Sequence, residues 1–242
     1  MRALITGASR GIGRATALRL GADGGKVIVN YLRNLEAAEA VCEDIRTAGG
    51  EAWPVAADVR SPAALQQLAW EAEHKLGGLD LLVHNAAMGA LKPMERLRVS
   101  HWDLTLETSL RPFWLLTKLC LPLLGEGSSV IGISSLGSRR HTPGYAAMGA
   151  AKGGMEALVR QLAVELAPKI RVNGVVGGLI ETDALDYLPQ ADELRDFTRR
   201  ATPLGRVGVP EDIAGVVAML ASPDARWITG QLVVADGGLS AV

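Results

Sequence analysis

Seven short apolar runs recur along the chain, separated by longer stretches with helical periodicity, and no other feature limits the possible folds as much. The runs fall at 3–5, 26–30, 52–56, 79–84, 129–134, 170–176 and 232–234. The helix-like stretches fall at 12–22, 34–48, 62–76, 101–124, 143–167 and 210–221. Such alternation predicts right-handed βαβ crossovers and a parallel sheet. The runs are apolar throughout, as expected of strands covered on both faces. The expected architecture is α/β: a doubly wound parallel sheet of about seven strands with helices on both faces. Ser61 with Pro62, Ser100, and Thr142 with Pro143 mark helix starts. Segment 177–209 breaks the rhythm with mixed charges and with Pro189 and Pro203. It is expected to act as a substrate lid on a single catalytic domain spanning 1–242.

Composition narrows the function classes. The 242 residues are 48% hydrophobic and 21% charged, the mix of a packed globule. A formal net charge of −1 gives no electrostatic case for nucleic acid or an acidic membrane. No apolar run approaches the roughly 18 residues of a membrane span. Cys42 and Cys120 form no CxxC, and the four histidines show no ligand spacing, so no metal is expected. A glycine-rich motif begins at Thr6, which leaves no room for a conventional signal peptide, and a cytoplasmic location is expected.

That motif is TGASRGIG, Thr6 to Gly13, and it follows the first apolar run directly. Gly7, Gly11 and Gly13 permit a sharp turn and close approach to a pyrophosphate, and the helix beyond aims free N–H groups at the negative charge. In this context the loop predicts dinucleotide binding through Gly7, Ser9, Arg10, Gly11, Ile12 and Gly13. An NAD site usually ends its second strand in Asp or Glu. Here the strand ends NYLRN, from Asn30 through Arg33, and the nearest acid is Glu36. Arg10 and Arg33 without an opposing carboxylate suit a 2′-phosphate, so NADPH is favoured over NADH. The competing reading leaves both arginines as solvated surface groups.

With GxxxGxG at the loop, Asp58-Val59 after the third run, Asn85-Ala86-Ala87 after the fourth and Asp236-Gly237-Gly238 near the end, the chain resembles the short-chain dehydrogenase/reductases over nearly its whole length. The resemblance implies a Rossmann-like sheet. It also implies cofactor contacts at Asn30, Asp58, Val59, Asn85, Ala86, Lys152, Ile180 and Thr182, and association into homotetramers. Most members carry Tyr-x-x-x-Lys, in which lysine lowers the tyrosine pKa and tyrosine protonates a carbonyl. In GYAAMGAAKGG, 144–154, Met148 stands four before Lys152, and the tyrosine is Tyr145, seven before it. Seven residues are nearly two turns, so the face is kept while the side chain moves about 4.5 Å along the axis relative to an i−4 residue.

A displaced tyrosine suits a particular substrate. Ketone reduction delivers hydride and proton to adjacent atoms. In a 2-enoyl thioester, hydride goes to Cβ while charge builds on the carbonyl oxygen, so the group serving that oxygen stands farther away. Tyr-x6-Lys is also the pattern of enoyl-acyl-carrier-protein reductases, and ISSLGSRR (133–140), MEALVRQLAVELAPK (155–169), GGLIETDAL (177–185) and HNAAMGALKP (84–93) resemble the type III enzymes most. The resemblance implies reduction of trans-2-enoyl thioesters on acyl carrier protein in fatty-acid synthesis, with Tyr145, Lys152 and Ser135 as the reaction residues. Two alternatives stay open: a 3-oxoacyl or other carbonyl reductase, and an inactive NADP-binding sensor or scaffold. The family's relay asparagine is replaced by Ser109 in LETSLRP, and a serine is not expected to reproduce the amide.

Overall fold

Val27, Ile28 and Val29 are consecutive and all fully buried. In an extended strand neighbouring side chains point to opposite faces, so this run must be covered on both. The computed structural model, which describes residues 1–22, 24–186 and 191–242, is built on that rule. Seven strands form one sheet: β1 Arg2–Ile5, β2 Lys26–Tyr31, β3 Glu51–Ala56, β4 Leu79–His84, β5 Leu124–Ser135, β6 Ile170–Gly177 and β7 Leu232–Ala235. All pairs are parallel, in the order β3-β2-β1-β4-β5-β6-β7. Leu4, Ile28, Leu82, Val130 and Val172 face one hydrophobic core. Their odd-numbered neighbours Ile5, Val27, Leu81, Val83, Ile131 and Val175 face the other. The first core is closed by α3 (Pro62–Leu76), α5 (Arg111–Cys120) and α6 (Ala146–Glu165). The second is closed by α1 (Gly11–Gly21), α2 (Leu35–Thr47) and α9 (Pro210–Ala221).

Strand order reverses between β1 and β4, so the loops at their carboxyl ends diverge and leave a crevice. Ser61 caps α3, its hydroxyl accepting from the Ala64 N–H at 3.2 Å. The other two expected helix starts move: α4 (Val99–Ser109) begins before Ser100, and α6 begins at Ala146, beyond Thr142 and Pro143. The expected continuous helix 101–124 is divided at Leu110 (φ −122°, ψ −60°) into α4 and α5. Pro112 supplies no N–H to the helical ladder, and the Phe113 N–H bonds to the Leu110 carbonyl at 3.1 Å. The chain then enters β5 at Leu124, where helix was expected to end. Segment 177–209 contains a short α7 (Asp183–Asp186) and α8 (Ala191–Ala201). Tyr187, Leu188, Pro189 and Gln190 of the expected lid lie outside the described residues.

Candidate active site

Main-chain conformation builds the first half of the site. Gly7 (φ +62°) and Gly11 (φ +54°) hold left-handed turns that side chains disfavour. A Cβ on Gly13 would stand 2.4 Å from the Gly7 carbonyl oxygen and 2.6 Å from Asn85 Nδ2. Two amides fix this loop from below. Asn30 Oδ1 accepts the Gly7 N–H at 3.2 Å, while its amide group donates to the Val55 and Ala57 carbonyls, both at 3.2 Å. Asn85 Nδ2 donates to the Thr6 and Gly7 carbonyls at 3.0 and 2.9 Å. A cleft of about 300 Å³ opens above the loop. Of the residues expected to bind cofactor, Gly7, Ser9, Arg10, Gly11, Ile12, Asn30, Asp58, Val59, Asn85, Ala86 and Thr182 line it.

Four expected contacts stand elsewhere. Gly13 is buried beneath the loop, and Lys152 is buried in α6. Arg33 is not part of the lining, yet its charge reaches Asp58. Ile180 lines a second cavity of about 200 Å³ with Leu179, Thr202 and Leu204. Sequence reasoning missed Arg60, which lines the cleft and forks onto Asp58, with Nη2 2.6 Å from Oδ2. That hydrogen bond holds the Asp58 carboxyl below its usual range. An arginine two residues past Asp58, a cofactor contact implied by the resemblance, was the available signal.

Side chains build the second half. Tyr145 is half-buried and stands immediately before α6 (φ −94°, ψ 9°), not within the helix as expected. Its carbonyl accepts the Gly149 N–H at 2.6 Å, so the spacing to Lys152 still follows the helical path. Burial raises the Tyr145 pKa, and a hydrogen bond from the Ser135 side chain draws it back. Lys152 is 5% exposed; its Nζ donates to the Ile133 carbonyl at 2.6 Å, and burial lowers its pKa to about 8. At the usual tyrosine position Met148 is 8% exposed, and its Cε lies close against Gly89.

Both halves match known proteins. A family profile described as "Enoyl-(Acyl carrier protein) reductase" covers residues 7–240. A 1-cyclohexenylcarbonyl-CoA reductase from Streptomyces collinus is 40% identical over 99% of this chain and 86% of its own length. A 3-oxoacyl-[acyl-carrier-protein] reductase from Synechocystis is 39% identical over 98% of this chain and 96% of its own. A Burkholderia cenocepacia short-chain dehydrogenase solved with NADP superposes with a TM-score of 0.92 at 33% identity, over 99% of this chain and 97% of that one. The chain belongs to the short-chain dehydrogenase/reductase family.

As an oxidoreductase of that family, it departs from the usual pattern at Ser109. That serine ties the loop after β4 to the last residue of α4. Its hydroxyl accepts the Met88 N–H at 3.3 Å and donates to the Met88 carbonyl at 3.2 Å. Nearby, His84 is 1% exposed, and its Nδ1 lies 3.4 Å from Thr6 Oγ1. That oxygen already accepts the Asn85 and Ala86 N–H groups at 3.1 and 3.0 Å. Burial is the main force holding the His84 pKa down, at about 3, and the Lys152 charge adds to it. Among the described residues no group of three or more His, Cys, Asp or Glu is placed to hold a metal, and no helix is long and apolar enough to cross a membrane.

Proposed function

We propose that this oxidoreductase reduces the carbon–carbon double bond of trans-2-enoyl thioesters with NADPH, on acyl carrier protein in fatty-acid synthesis. The carrying observation is the pair formed by Tyr145, seven residues before Lys152, and the buried Met148 at the position where a carbonyl reductase of the common pattern has its tyrosine. A methionine has no proton to give. The similarity to a reductase named for a cyclohexenylcarbonyl thioester, itself an unsaturated thioester, supports the same reading.

The glycine cradle fits a dinucleotide, since Gly7 and Gly11 hold left-handed turns that leave the loop's main chain bare at the cleft. Gly7, Arg10, Gly11, Asn85 and Thr182 would hold the cofactor, with Arg10 and Arg33 on the 2′-phosphate. When bound, it supplies hydride to the substrate Cβ. The chain's own groups attend to the charge that hydride addition creates. Tyr145 stabilises or protonates the enolate oxygen at the thioester carbonyl. Ser135 steadies the phenolate through its hydrogen bond, and Lys152 holds the ribose from a buried position. Ser109 fixes the Met88 backbone beside the cleft. The similarity to a 3-oxoacyl reductase favours the competing carbonyl reduction. Following NADPH absorbance with crotonyl and acetoacetyl thioesters separates the two. Turnover of acetoacetyl thioester alone would overturn the proposal.

A further inference from the structure

Glu156 is one of the few charged side chains buried among the described residues, 6% exposed, one helical turn beyond Lys152 on α6. Three donors converge on its carboxylate. The Ser134 and Ser138 hydroxyls reach Oε1 at 2.7 and 2.6 Å, and Arg139 Nε reaches Oε2 at 3.1 Å. All three donors belong to the end of β5 and the 3₁₀ turn Leu136–Ser138 with the residue that follows it. Only a carboxylate accepts at both oxygens; an amide would present N–H groups to at least one of these donors. Charge-assisted bonds of this kind are the strong ones, and they hold a buried acid in one orientation.

The same turn carries the reaction side chains. Ser135 lies directly before it and accepts the Gly137 N–H on Oγ at 3.3 Å; its carbonyl stands 2.7 Å from Ser138 Oγ and shares that hydroxyl's single proton with Glu156 Oε1. The ring of Tyr145 rests on Gly137, where an added Cβ would come within 2.4 Å of Cε1. An added Cβ on Gly149 of α6 would meet the Gly137 carbonyl at 2.9 Å. The turn is therefore in contact with the Tyr145 ring and with α6, and it is tied to α6 a second time through Glu156.

We propose that Glu156 is a positioning residue: its carboxylate locks the turn Leu136–Ser138 and so holds Ser135 and the Gly137 surface on which the Tyr145 ring rests. The consequence for catalysis rests on the reading that Tyr145 serves the enolate oxygen. Ser135 is the group that draws the phenol pKa down against burial. A released turn therefore raises it.

The experiment reads the phenol directly. Tyr31→Phe with Tyr187→Phe leaves Tyr145 as the single tyrosine of the three, and near-ultraviolet absorbance then follows its ionisation. Lys152 and Arg139 are unaltered in every variant. Adding Glu156→Ala should raise the midpoint by roughly half to one pH unit, the worth of about one hydrogen bond. It should also lower kcat about tenfold while cofactor Kd stays within about twofold. Glu156→Gln keeps an acceptor for the serines and should recover part of both. A folded Glu156→Ala protein with an unchanged midpoint overturns the proposal. If that variant does not fold, Ser134→Ala with Ser138→Ala is read the same way, and an unchanged midpoint there overturns it equally. A raised midpoint with unchanged kcat upholds the clamp and instead defeats the catalytic reading of Tyr145.

Discussion

The two halves of the cleft are made of different materials. On the cofactor side, backbone does the shaping: three glycines supply the turn, and the amides of Asn30 and Asn85 are engaged in holding it. On the reaction side, side chains do the shaping, and their support comes from another side chain, Glu156. A main-chain site tolerates many side chains but no added Cβ. A side-chain site tolerates backbone variation but depends on one functional group at one distance.

The largest expected effect tests the reaction side. Tyr145→Phe should lower kcat by roughly 10²–10³, the usual cost of one donor to a developing oxyanion, and leave cofactor affinity nearly unchanged. Single-turnover kinetics beside a cofactor titration check this. Met148→Tyr restores the common i, i+4 pair yet should not rescue Tyr145→Phe in enoyl reduction, because its hydroxyl would stand one turn away from the oxygen to be served.

Gly13→Ala makes the matching test on the cofactor side. Its Cβ would stand 2.4 Å from a backbone oxygen. Overpacking of this kind typically costs about 1–3 kcal/mol, and cofactor binding should fall with stability. Thermal unfolding with and without cofactor would report both, and an unperturbed variant would mean the loop can yield.

A smaller effect is expected at the 2′-phosphate. Arg33→Asp should weaken NADPH binding by roughly ten- to a hundredfold relative to NADH, since a hydrogen bond to a charged group is worth about 1.5–3 kcal/mol. Equal losses for the two cofactors would remove Arg33 from the site.

Another expected effect concerns pH. Burial lowers the Lys152 pKa from 10.5 to about 8, so between those values the unfolded chain binds more protons than the folded one. Stability conferred by this position therefore rises from pH 8 towards 10.5, and the cost of burying the ammonium is fully present below 8. Denaturant unfolding of wild type and Lys152→Met across that range should show the gain in wild type alone. Activity should move the opposite way, with an alkaline limb near 8 as the ammonium that holds the ribose is lost.

This contrast in materials also explains what the sequence revealed. All seven strands were legible because strands covered on both faces are written as unbroken apolar runs. The cofactor loop was legible because glycine spacing encodes backbone conformation directly. The helical path joining Tyr145 to Lys152 was legible in their spacing, although the helix start at Ala146 leaves the tyrosine just outside α6. The break at Leu110 was missed, since Pro112 reads equally as a residue inside a bent helix or at the start of a new one. Ile180 entered as a cofactor contact through the family resemblance, and its side chain lines the second cavity. Glu156 left no mark in the sequence. An acid on an amphipathic helix reads as solvent-facing until the fold brings Ser134, Ser138 and Arg139 onto it.

The all-parallel sheet bears on how the molecule comes into being. Each neighbouring pair of strands requires a crossover, so the partners in the site are distant in the chain: the Asn85 N–H meets Thr6 Oγ1 across 79 positions, and Arg140 Nη2 meets the Ser240 carbonyl across 100. Loop closure must precede such contacts, and topologies rich in them fold slowly. During synthesis β1 emerges first but waits for β4 to complete its pairing, and β6 waits for β7 at the far end. A ribosome-bound chain lacking its last strand is expected to hold every reaction residue and still lack the wall of the second cavity that Ala235, Asp236 and Gly237 supply.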